Sequence, residues 1–168
     1  MTHGASVSKL LYLHSLSQPK WKIKRSKEDE AAGFSTVFRR VEALGIKPYP
    51  LTLDDDILNF TVSRDFVTAT YGGNTQQTFP HISKKNLARH GFGDFMCLNI
   101  MYNPRAPQRP GFPGLFYRSR VSDLPRFQRV FIRVQESVWL YIGQYELVRS
   151  EPLTQEEWKQ NSEEVSTF

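Results

Sequence analysis

Between Asn103 and Gly114 the chain reads NPRAPQRPGFPG, four prolines and two glycines in twelve residues. Proline fixes φ and offers no backbone N–H, so this stretch has little freedom to lose on folding and cannot lie inside a sheet. It is expected to form an ordered loop of defined shape, and β-patterned sequence follows it almost without a break. Leu115–Ser119 reads as one strand. Val130–Val134 alternates, with Val130, Ile132 and Val134 turned inward. Gln135, Glu136 and Ser137 then make a tight turn into a return strand over Val138–Val148. Gly143 inside that strand points to a bulge or a close backbone approach.

Upstream, the grammar is helical. Ser35–Leu44 opens on a serine suited to capping and sets Val37, Phe38, Val41 and Leu44 on one face, with Gly45 as its stop. Ser63–Tyr71 repeats the pattern, with Phe66, Val67 and Thr70 or Tyr71 on the buried side. Ser83–His90 does so again before Gly91. Phe92–Met101 is apolar at nearly every step after Asp94, as a buried strand would be. A last helix starts at Thr154, whose spacing to Glu157 is that of a capping box. Helices first and strands last give an α+β class. N-terminal helices pack on a C-terminal, mainly antiparallel curved sheet, or on a partly closed β-barrel bent at Gly143 and at the proline loop. Residues 1–32 read as a flexible basic segment, 33–162 as one domain and 163–168 as a disordered tail.

Composition narrows the function classes. The aromatic share is 13%, with 12 Phe and 7 Tyr, which argues against disorder for most of the 168 residues. The single cysteine, Cys97, cannot form an intramolecular disulfide and suits a reducing, intracellular setting. No apolar run approaches the ~18 residues of a membrane span. The net charge of +5 is unevenly spread. Lys20, Lys22, Lys24, Arg25 and Lys27 form a block of the kind used for nuclear import or nucleic-acid contact. Arg105, Arg109, Arg118, Arg120, Arg126, Arg129, Arg133 and Arg149 form a second block that contains no lysine. Guanidinium stacks on rings and grips phosphate bidentately, although such a block also serves as an ordinary solvated surface.

Catalytic signatures are absent. His81, His90 and Cys97 lack the spacing of a zinc module, and Asp54, Asp55 and Asp56 suit a helix N-terminus better than a calcium loop. No metal or cofactor is expected. A hydrolase nucleophile at Cys97 with His90 as base would need the fold to unite them, and a lone cysteine in FMCLN is otherwise a small core residue. The stronger lead is aromatic. Period 2 places Trp139, Tyr141, Gly143 and Tyr145 on one face of the return strand, beside arginines, which is what base stacking with phosphate neutralisation requires. The same rings also suit an ordinary core.

The strings SRDFVTATYGG, KKNLARHGFGDFMCLNI, NPRAPQRPGFPGLFYRS and VWLYIGQYELVRSEPLTQEEWK resemble an uncharacterised fungal domain family expanded in mushroom-forming fungi. The resemblance covers about Asp55–Gln160 and implies no activity. A Trp-x-Tyr-x-Gly-x-Tyr strand after a Pro/Gly loop is also similar to PUA-like barrels, including SRA domains that read modified cytosine. That resemblance implies a flipped base stacked on aromatics and loop arginines on phosphates. The expectation is a non-catalytic, nuclear reader of nucleic acid, DNA rather than RNA, not bound to membrane. Its contacts would be Asn103, Arg105, Arg109, Tyr117, Arg118, Arg120, Trp139, Tyr141 and Tyr145. The alternative is a protein-interaction or homodimerisation module.

Overall fold

Local capping sets the helices. Ser63 Oγ accepts the Phe66 N–H at 3.0 Å and Ser83 Oγ accepts that of Asn86 at 3.3 Å, so both serines act as N-caps. The computed structural model describes residues 37–117, 124–157 and 159; Ser35, the expected cap of the first helix, lies outside them. The elements are α1 (37–43), α2 (Asp55–Leu58), β1 (Thr61–Val62), α3 (Arg64–Tyr71), α4 (Lys84–His90), β2 (Phe95–Asn99), β3 (Phe127–Gln135) and β4 (Val138–Glu146). Asp54 stands as N-cap of α2 with Asp55 and Asp56 in its first turn, the place the macrodipole favours. Thr154 and Glu157 close a capping box: the Thr154 N–H donates to Glu157 Oε2 at 2.9 Å, and the Glu157 N–H to Thr154 Oγ1 at 3.2 Å.

The class is α+β, built on an open, curved four-stranded sheet in the order β1-β4-β3-β2. β4 pairs antiparallel with β1 and β3, whereas β2 runs parallel to β3, from Phe95 opposite Arg129 to Asn99 opposite Arg133. A parallel neighbour needs a long crossover, and residues 100–126, which contain the proline loop, supply it. The expected strand at Leu115 does not form over 115–117. The Leu115 N–H turns back on the Arg105 carbonyl at 2.7 Å, so this part of the chain belongs to the loop and not to the sheet.

Each face of the sheet carries its own core. Met96, Leu98, Val130, Ile132, Val134, Leu140 and Ile142 point to one side, where Ala106, Phe79 and Phe116 cover them. Phe95, Cys97, Phe131 and Trp139 point to the other, against Val67, Ile82 and Tyr71. The inward set Val130, Ile132 and Val134 is as the alternation requires. α3 is rotated from its expected orientation. Arg64 and Val67 are buried, at i and i+3, with Tyr71 partly so, while Phe66 is exposed.

One residue redirects β4. Val130 pairs with Gly143 and Phe131 with Tyr141, so Ile142 is the extra residue of a bulge, and Gly143 takes φ 117° there. The insertion reverses side-chain parity. Tyr141 stays on the Trp139 side, but Tyr145 crosses to the Leu140 and Ile142 side. The common face expected for Trp139, Tyr141 and Tyr145 therefore does not exist.

Candidate functional site

The nine residues expected to form one nucleic-acid site are divided. Arg118 and Arg120 lie outside the described residues. Those of the proline loop work as a brace on the first face. The Asn103 side chain donates to the Asn99 carbonyl at 3.0 Å and closes the turn after β2. Arg105 is buried and its Nη1 donates to the Tyr117 hydroxyl at 3.3 Å. Burial pushes the Tyr117 phenol up and Arg105 opposes it. Arg109 lies over the Phe112 ring, 5.9 Å from its centroid. Tyr145 is buried beneath, its hydroxyl donating to the Phe112 carbonyl at 2.7 Å, and burial pushes its phenol up. Tyr145→Phe keeps the ring and removes this tether. The expected cost is about 1 kcal/mol, with faster amide exchange confined to 109–114, read by thermal melting and hydrogen exchange.

Trp139, on the second face, is buried under Arg64, whose guanidinium carbon is 5.4 Å from the ring centroid. Arg64 also donates to the Thr75 carbonyl at 3.2 Å, the Asn74 carbonyl at 2.6 Å, the Gln77 carbonyl at 3.0 Å and Cys97 Sγ. Sequence reading missed this residue because a charged side chain on a helix is ordinarily assigned to water. Burial raises the Cys97 thiol despite Arg64 beside it. His90 accepts the Phe92 N–H at Nδ1, which leaves Nε2 to donate to the Tyr71 carbonyl at 2.9 Å. Both ring nitrogens are thus engaged with backbone, and the thiol with a guanidinium.

The open part of this face is a ledge at its outer end. Tyr141 is 42% exposed and rests on Phe131 with ring centroids 5.0 Å apart. Burial of the rest of the ring raises its phenol, with the Arg129 charge opposing this and Asp94 and Tyr71 adding to it. The Arg129 guanidinium carbon lies over Phe92, 4.2 Å from the ring centroid, and Arg129 pairs with Asp94, which also accepts from Gln144 Nε2 at 3.5 Å. His90 stacks on Phe92 at 5.8 Å, and Tyr71 meets both rings edge-on. Of the expected residues that are described, Tyr141 alone belongs to this group. Phe92 and Arg129 join it because β2 and β3 run side by side.

Other arginines are held by carboxylates. Arg126 pairs with Glu146. Arg39 and Arg40 both engage the buried Glu157 carboxylate, and Arg40 reaches the Ser150 hydroxyl and the Glu151 and Pro152 carbonyls as well, fastening α1 to the C-terminal segment. Burial raises the Glu157 carboxyl, but the Arg40 hydrogen bond, the Thr154 N–H and the charges of Arg40 and Arg39 outweigh it and hold the group below its ordinary 4.5. Its stabilisation is therefore complete above that value and is lost as pH falls through the lower folded-state value. Glu157→Gln should cost about 1–2 kcal/mol at neutral pH and nothing in strong acid, read as converging melting curves of the two proteins.

Among the described residues no group of three or more His, Cys, Asp or Glu could hold a metal ion, and no helix is long and apolar enough to cross a membrane. No curated protein and no solved structure matches the chain. Residues 61–168, from β1 through the proline loop and the ledge to the C-terminal residue, match one family model, and the chain belongs to the family described as domain of unknown function DUF6697.

Proposed function

We propose that this domain is a non-catalytic nucleic-acid-binding module that stacks an unpaired base on the Tyr141 ledge. The observation that carries this is the open Tyr141 ring paired opposite Phe131 on β3, two residues from Arg129, which itself lies over Phe92. A ring face offers sequence-tolerant stacking worth about 1–3 kcal/mol per base, and the nearby Arg129 guanidinium can meet a phosphate by exchanging the Asp94 carboxylate for it. The overall charge of +5 favours approach to a polyanion, and the lysine-rich block at 20–27 supports nuclear entry and DNA as the partner. A PUA/SRA-like reader would instead enclose a flipped, modified base between rings in a concave opening. Trp139 and Tyr145, buried on opposite faces, lend that version less support than an open ledge.

Anisotropy titration with a labelled single-stranded DNA, and with unmethylated and methylated duplexes, tests the proposal. The single strand should bind most tightly, with affinity falling steeply as salt rises. Tyr141→Ala should weaken it about 5- to 150-fold without unfolding the protein. Absence of binding at low salt, or an unchanged affinity for Tyr141→Ala, would overturn the reading.

A further inference from the structure

A second surface, at the opposite sheet edge from β2, has no part in the ledge. α2 and the start of β1 stand against the end of the β3–β4 hairpin and leave an open cleft of about 580 Å³. Asp56, Asn59 and Phe60 form one wall, and Val134, Gln135 and Val138 the other. Phe60 is 67% exposed, and Ile57, three residues earlier in α2, is 59% exposed. Large apolar side chains gathered at one place mark an interaction site. The exposed Asp56 carboxylate lines the cleft beside Phe60 and Val138, so a fitting occupant is apolar on one side and cationic on the other.

The chain carries one segment of that description. Residues 20–24 read Lys-Trp-Lys-Ile-Lys. In an extended conformation, period 2 puts Trp21 and Ile23 on one side and Lys20, Lys22 and Lys24 on the other. We infer that the cleft between α2 and the hairpin is the docking site of the chain's own Lys20–Lys24 segment. Seated there, Trp21 and Ile23 would meet Phe60 and Val138, and the lysines would meet the Asp56 carboxylate. The occupied cleft covers Phe60. This inference is independent of what the ledge binds.

Zero-length carbodiimide coupling of the full chain at low salt, followed by peptide mapping, tests it. Amide links from Lys20, Lys22 or Lys24 to Asp56 are expected, at a yield independent of protein concentration. Phe60→Ser, at a solvent-exposed position, should reduce that yield several-fold, and 0.5 M salt should do the same. Mixed isotope-labelled and unlabelled protein separates the occupants: links within one chain support the inference, and links only between chains assign the cleft to a second copy and overturn it. The inference also falls if no such link forms, or if Phe60→Ser leaves the yield unchanged, which would mark a basic segment meeting acids without a seat.

Discussion

Replacing Arg64 by methionine should destabilise the domain by about 3–5 kcal/mol, lowering the melting temperature on the order of 10 °C. Exchanging a buried charge for an apolar side chain is often harmless when its partners leave with it. Here they remain. The carbonyls of Asn74, Thr75 and Gln77 all accept from this guanidinium, and the loop that carries them has no other tie to α3 among the hydrogen bonds described. Arg64→Lys should recover little, because one ammonium on a narrower head cannot span acceptors arranged for a planar fork. Cys97→Ala removes only a weak acceptor and a small volume and should cost about 1 kcal/mol. Melting curves that rank wild type, Cys97→Ala, Arg64→Lys and Arg64→Met in falling order would bear this out; an Arg64→Met protein as stable as wild type would refute it.

Gly114→Val should cost about 2–3 kcal/mol for a different reason. A Cβ on Gly114 would fall on the Pro107 nitrogen and within 2.5 Å of the Ala106 carbonyl carbon, both backbone atoms. A flexible side chain could swing away from such a contact, but a main chain stiffened by Pro104, Pro107 and Pro110 cannot. The damage should stay on the brace side. Tyr145 and Phe112 should lose their hydrogen bond, seen as accelerated exchange over 109–114, while β2 and α3 keep their protection. The binding proposed at the ledge should then persist at temperatures where the variant is still folded.

What the sequence discloses follows the range of the interaction. Caps act over three residues, so Ser63, Ser83 and the Thr154–Glu157 box could be read directly and are present in the structure. The alternation of Val130, Ile132 and Val134 was equally plain, because a strand's own period decides it. Gly143 announced a bulge, but the face on which Tyr145 emerges depends on the partner register with β3, which no local pattern contains. Arg64, and the pairing of Glu157 with Arg39 and Arg40, were hidden because charge ordinarily signals exposure, and each is settled by partners distant in sequence. The ledge was hidden for a related reason. Asp94 and Arg129 meet only once β2 has found β3 in parallel, while the sequence offers Tyr141 alone.

That parallel pairing also sets an order of events during folding. The β3–β4 hairpin is joined by the short turn at Glu136 and Ser137 and closes locally, on a timescale of about 1–10 μs. β2 must wait for residues 100–126 to fold back across the sheet, a non-local step with a larger loop-closure cost. Until it docks, the edge of β3 is unpaired and the Phe131 ring has no Phe95 beside it. A nascent chain halted within that interval offers a bare strand edge to its neighbours, so the crossover is the step at which misassembly during synthesis would begin.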